Sequence, residues 1–133
     1  MKVKVNDLGI CGVEQIMYAG TIKYNTTGAS TGVELCTLPH DCVVTRATAV
    51  VKTAFDAGTT NVLTVGTTTT NADELLGSGD ITEGTAGTYI KHHFTEAAEK
   101  TKIIAKYTQT GTDATAGEAE IYLHVVGIPE LSN

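Results

Sequence analysis

The chain has no tryptophan, one arginine (Arg46), two prolines and only 5% aromatic residues in 133 positions. Each shortage excludes something. Proteins that track a phosphate backbone do so with Lys and Arg that displace counterions. Nine basic residues against fifteen acidic ones, a net charge of −6, therefore argue against nucleic acid as a partner. Anionic membrane surfaces are disfavoured on the same ground. Sugar-binding platforms stack on aromatic rings, and few are present. Tyr18, Tyr24, Tyr89, Tyr107 and Tyr122 are expected to pack within strands or cap core edges instead. No run approaches the roughly 18 apolar residues of a membrane helix. Asn6, Asp7 and Glu14 interrupt any apolar stretch that a signal peptide would need. Cys11, Cys36 and Cys42 are odd in number and too few for a disulfide scaffold. The expectation is a chain made in a reducing cytosol with free thiols.

What is present favours strands. Thr is the commonest residue, and Thr and Val suit a pleated sheet because branching at Cβ restricts χ1. Hydrophobic residues make up 41% and charged ones 18%, below the usual charged share of about 25%. A chain of this length fits one core and can bury roughly two thirds of its unfolded surface without a staple.

Residues 1–14, with Gly9 and Gly12 and no clean period, read as an N-terminal arm or edge strand. The domain proper is expected over residues 15–128, with 129–133 a short tail. Gln15 to Tyr24 reads as a strand with a bulge at Gly20, and Val33 to Leu38 as a short strand stopped by Pro39. Asn25 to Gly32 is turn chemistry.

The clearest signal is Cys42 to Gly66. Strict alternation puts Val43, Thr45, Ala47, Ala49, Val51, Thr53 and Phe55 on the core face. Val44 and Val50 then fall on the wet face, where an arm or another subunit would have to cover them. Asp56-Ala57-Gly58 predicts a hairpin turn, with Val62 to Val65 as the partner strand.

Residues 67–89 form a long loop. Asn71 and Glu74 resemble a capping box, which predicts one helical turn over Ala72 to Leu76. Thr88 to Phe94, Lys102 to Gln109 and Glu118 to Val126 read as strands, with TEAAEK (95–100) a helical turn or polar loop. Glu118 and Glu120 are expected to pair across strands with Lys102 or Lys106. The total predicts an all-β fold: a jelly-roll-like β-sandwich of about seven or eight mostly antiparallel strands with at most two short helical turns.

Candidates for chemistry are few. Cys36, His40 and Cys42 form a C-x3-H-x-C arrangement that supplies three zinc ligands of the four required, so Cys11 or His124 would have to complete it. Strand-end thiols beside an exposed His, or a Cys36–Cys42 disulfide, are the alternatives. His92 and His93 are adjacent on a strand, so their rings point to opposite faces. His92 and His124 could meet across a sheet or around an oligomer axis and make a pH-sensitive contact. Asp73, Glu74, Asp80 and Glu83 supply oxygens in the long loop, but the calcium-loop pattern is absent and a solvated acidic loop is the simpler reading. No nucleophile elbow, P-loop or dinucleotide fingerprint is present, and Ser30 and Ser78 lie among glycines without a paired base. Enzyme activity, cofactors and a dedicated metal site are not expected.

The segment TGVELCTLPHDCVVTRATAVVKTAFDAGTTNVLTVGT (31–67), with DITEGTAG (80–87) and YTQTGTDATAGEAEIYLHV (107–125), resembles small virion structural proteins of tailed bacteriophages and prophages. The resemblance is to capsid-decoration or head-fibre β-domains and covers about residues 24–128. Cys36, Cys42 and the His92-His93 pair depart from the small or polar residues usual there.

The resemblance implies a homo-oligomer, with trimer the first guess, attached to the major capsid protein or other virion proteins after assembly in the bacterial host cytoplasm. Val44, Val50, Asp73, Glu74, Asp80 and Glu83 are the candidate oligomer or capsid contacts. The alternative reading is a tail-tip or head-fibre adsorption module that binds a host glycan or protein.

Overall fold

Along residues 118–126 the alternation is at its plainest, and there the chain folds as it reads. A computed structural model describes residues 14–38 and 40–127. In it, β7 (Glu118–Gly127) buries Ala119, Ile121, Leu123 and Val125, with Glu118, Glu120, Tyr122 and His124 on the other face. The other strands are β1 (Gln15–Lys23), β2 (Val33–Thr37), β3 (Cys42–Thr53), β4 (Thr60–Gly66), β5 (Gly87–Ala97) and β6 (Lys102–Thr110).

These strands form two antiparallel sheets, ordered β1-β7-β3-β5 and β2-β6-β4. The architecture is the expected β-sandwich. The bulge expected at Gly20 is present, between Tyr18 and Gly20 against β7. Residues 1–13, Pro39 and 128–133 lie outside the described residues. With them go most of the expected arm, Cys11, both prolines and the C-terminal tail.

Four expectations need correction. First, Cys42 to Gly66 is not a hairpin. β3 has β7 on one side and β5 on the other, so neither edge is free for residues 60–66. The chain instead crosses to the opposite sheet, where β4 pairs with β6. Phe55 is buried at this crossover, 4.6 Å from the Tyr107 ring. Asp56 anchors it by accepting hydrogen bonds from the Thr115 and Ala116 N–H groups at 2.7 and 3.0 Å and from the Thr115 hydroxyl at 2.8 Å.

Second, the alternation in β3 changes phase. A β-bulge between Val44 and Arg46 adds Thr45 against β7, so Cys42 and Val44 face the core along with Ala47, Ala49 and Val51. Val44 is 1% exposed and needs no second subunit to cover it. Third, Glu118 and Glu120 pair with Lys23 and Lys52, at 3.7 and 3.6 Å, rather than with Lys102 or Lys106. β7 lies between β1 and β3, whereas β6 belongs to the other sheet, where Lys102 meets Glu34.

Fourth, residues 72–76 form no helical turn. Glu74 does not cap but accepts from the Thr67 N–H and hydroxyl. Leu76 bridges to Val65 through a reciprocal pair of backbone hydrogen bonds of 3.0 Å each. That bridge extends the small sheet beyond β4. Leu75, Leu76, Ile81 and Glu83 are buried, so this segment fills the place of a fourth strand and closes the sandwich over β5. The inward row of β5 is tied to it: Tyr89 OH donates to Thr85 O at 2.7 Å, Lys91 pairs with Asp80 at 3.0 Å, and His93 Nε2 lies 2.6 Å from Leu75 O. β5 runs on to Ala97 where a turn or loop was expected, and Lys100 closes the connection at φ 69°.

Glu83 is the buried anchor of this segment. Its carboxylate accepts the Leu63 N–H at 2.9 Å and its carbonyl accepts the Phe55 N–H at 2.9 Å. Replacing Glu83 by Ala leaves the Leu63 N–H unpaired, so Glu83→Ala should lower stability by about 1–3 kcal/mol in urea unfolding. Glu83→Gln keeps an acceptor oxygen and should lose less; equal losses would contradict the role assigned to this hydrogen bond.

Asp56 generates a pH dependence. The Thr115 hydroxyl, then the two backbone N–H groups, hold its carboxyl below its ordinary value of 3.8. A group depressed in the folded state stabilises above its unfolded pKa and loses that contribution as pH falls through the folded value. Urea midpoints should therefore drop more for the wild type than for Asp56→Asn when pH is lowered from 7 to about 3. Parallel decreases would contradict this.

Candidate functional site

The two outer faces of the sandwich differ in chemistry. On the small sheet, Val62, Thr64, Lys106 and Thr108 lie under Thr69, Thr70, Ala72 and Asp73, around a shallow depression of about 210 Å³. Its lining is mostly hydroxyl and charged. On the four-stranded sheet, the outward residues combine large apolar and aromatic side chains with basic ones and with Glu96, Glu118 and Glu120. Ile16, Tyr18, Ile90 and Phe94 are 69, 53, 52 and 82% exposed. They are the large exposed hydrophobics among the described residues, and strand register puts all four on this face.

That register arranges the face in rows across the strands. One row runs Ile16, His124, Arg46, His92 from β1 to β5. The next runs Tyr18, Tyr122, Thr48, Ile90. A third places Val50 between Glu120 and Thr88. Directly opposed side chains on one face of an antiparallel pair sit within contact range. The Tyr18 and Tyr122 rings are 5.4 Å apart and tilted by 53°.

The basic row has its own electrostatics. Arg46 is half-buried and takes part in no ion pair or side-chain hydrogen bond among the described residues. His124 Nδ1 and the Thr48 hydroxyl are buried atoms without a hydrogen-bond partner there. Glu14, at the entry to β1, accepts from the Thr45 hydroxyl. That bond holds its carboxyl below the usual range, and the charges of Arg46, His124 and His92 add to the effect. The bulge creates this arrangement by placing the extra residue, Thr45, beside Arg46.

The residues expected to make contacts are dispersed. Val50 is half-buried on the four-stranded outer face, while Val44 is in the core. Asp73 and Glu74 are exposed on the segment that covers the small sheet. Asp80 is engaged by the Gly77 N–H at 2.7 Å and by Lys91, and Glu83 is buried. His92 and His124 share a row, as their sequence positions allowed, but Arg46 stands between them. Ile16, Ile90 and Phe94 were not singled out, and Tyr18, expected to pack within a strand or cap a core edge, is instead 53% exposed on this face. The signal that could have found them was large apolar residues on one face of each of two strands.

Among the described residues, the thiols do not form a site. Cys36 lies on β2 in one sheet and Cys42 opens β3 in the other, and both are free. His40 is exposed, with Nδ1 3.0 Å from Asp41 O. Among the described residues, no three His, Cys, Asp or Glu side chains converge as a metal ligand set. Burial pushes both thiol pKa values up, with the Asp41 charge adding to the effect at Cys42, so neither is poised as a thiolate. In a Cys11→Ser, Cys36→Ser background, Cys42, 1% exposed, should react with a thiol reagent only after denaturation. Rapid stoichiometric labelling of the native protein would contradict its placement.

Comparison with known proteins places the fold. No family model and no curated protein sequence matches the chain. Among solved structures, one described as a capsid asymmetric unit of the cyanophage Pam1 is similar, with a TM-score of 0.65. Identity is 15%, and the match covers 86% of this chain and 85% of that one. At that identity the likeness is one of fold.

Proposed function

We propose that the chain is a non-enzymatic structural protein of a phage virion, an auxiliary head protein that decorates the shell. The observation that carries this reading is the one-sided exposure of Ile16, Tyr18, Ile90 and Phe94 on the outer face of the four-stranded sheet. Large apolar side chains exposed together on one face, here on its two edge strands with Arg46 and the histidines between, mark an interaction surface rather than a solvated one. The shared fold with a capsid asymmetric unit supports the same reading.

In this proposal the partner is the major capsid protein or another virion protein. The decorating unit is a small homo-oligomer, a trimer in the simplest case, and the protein ends up in the virion.

Adsorption to a host glycan has less support. A sugar platform needs an open, flat aromatic surface. Tyr107 is buried with its hydroxyl on Asn61, Tyr89 is tied to Thr85, and the Tyr18–Tyr122 pair is tilted.

The test is co-sedimentation with shells assembled from the major capsid protein of the phage or prophage that carries this chain. The wild type should bind such shells when they lack it. Ile16→Lys and Phe94→Lys alter exposed side chains, so they should leave the unfolding temperature unchanged and weaken binding by roughly tenfold each. A wild type that stays monomeric and never sediments with shells would overturn the proposal.

A further inference from the structure

We propose that the row His124–Arg46–His92 is a carboxylate-recognition site at the centre of the docking face, and that the occupant is an acidic patch of a partner protein other than this chain. The inference rests on the interaction face described above and adds the partner's chemistry to it. Three observations carry it.

The first is the state of Arg46. It is the only arginine in the sequence, lies half-buried on a central strand, and has no ion pair or side-chain hydrogen bond among the described residues. A guanidinium is a planar fork of donors that suits a carboxylate bidentately, and one left unpaired beside apolar side chains is a poor solvated end state.

The second is its setting. Imidazoles flank it on both neighbouring strands, and His124 Nδ1 is buried without a partner. Ile16 ends the same row, and Tyr18, Tyr122 and Ile90 stand in the next one. An arginine framed by exposed aromatic and aliphatic residues, which exclude water once a partner covers them, has the composition of an interface hot spot.

The third is the charge balance around the row. β1 and the residue before it contribute Glu14, Tyr18 and Lys23; β7 contributes Glu118, Glu120, Tyr122 and His124; β3 contributes Arg46 and Lys52; and β5 contributes His92 and Glu96. Glu120 is already paired with Lys52, and Glu14 is held by the Thr45 hydroxyl. Glu14 stays anionic on that neutral hydroxyl and its charge acts on Arg46, His124 and His92, but among the described residues no carboxylate forms an ion pair or hydrogen bond with the Arg46 guanidinium. A carboxylate brought by a partner would fill the donor fork that Glu14 leaves unused.

A second copy does not suit the row. A two-fold axis through the middle of this face would set Arg46 against Arg46 and the histidines against histidines. Isologous contacts repeat the same patch on both sides, and like charges there oppose association.

The single arginine makes the test direct, because the chain has one Arg side-chain Nε–H resonance. We expect hexaglutamate to shift that resonance saturably at neutral pH, hexalysine to leave it in place, and about 0.5 M salt to weaken the effect. Arg46→Lys, which keeps the charge but not the fork, should weaken shell binding by about tenfold without changing the unfolding temperature. His92→Ala and His124→Ala should each weaken it less.

Four results would overturn the site: no shift with hexaglutamate, an equal or larger shift with inorganic phosphate, a shift of the same resonance on self-association, or full shell binding by Arg46→Lys. Failure of the wild type to bind shells, with the hexaglutamate shift intact, would instead defeat the virion reading and leave the carboxylate site standing.

Discussion

The structure depends on how β3 is held between two neighbours while facing two ways. Its central position removes both edges from competition, so every other strand must arrange itself around β7 and β5. Without a change of phase, a twelve-residue strand with this composition would leave Val44 in water and turn Thr45 toward the core. The extra residue at Thr45 resolves the conflict locally. It lets Cys42 and Val44 share the core with Ala47, Ala49 and Val51, and it leaves Arg46 on the outer face between two histidines. Core packing and the proposed recognition row thus follow from one irregularity, in keeping with bulges acting as devices that re-aim side chains.

A second constraint is the missing eighth strand. The small sheet has three strands against four, which would leave the inner face of β5 open. Residues 67–86 fill that place without becoming regular. Leu76 pairs with Val65, Glu83 satisfies Leu63, and Asp80, Thr85 and Leu75 hold Lys91, Tyr89 and His93. The segment is therefore part of the sandwich, and its acidic residues serve the fold more than the surface. Glu83 shows this most clearly, since a carboxylate only 7% exposed is tolerated because a buried N–H meets it.

In the proposed reading, one broad side carries this covering segment and the other meets a partner. The contrast between a hydroxyl-rich face and one bearing Ile16, Tyr18, Ile90 and Phe94 is hard to reconcile with a sandwich that only floats in water. In the proposed reading, apolar area provides the attraction, while Arg46 and its neighbouring histidines provide the selectivity for an acidic surface.

Strand identity was legible in the sequence. The expected stretches at 15–24, 33–38, 102–109 and 118–126 correspond closely to β1, β2, β6 and β7, and the sandwich class follows from them. The reason is local: successive Cβ atoms alternate across a strand, so a period of two is written in neighbouring residues. What lay beyond that reach was anything decided by distant partners. Whether Asp56-Ala57-Gly58 turns back or crosses over depends on β5 and β7 already flanking β3. Whether Glu74 caps a helix depends on Thr67 and on the bridge from Leu76 to Val65. Whether Val44 is wet or dry depends on one extra residue against β7. The face shared by Ile16, Arg46, Ile90 and Phe94 exists only once four strands, distant in sequence, stand side by side. Alternation settled which residues share a side of a strand, except across the β3 bulge; tertiary pairing alone decided which sides meet the core and which meet each other.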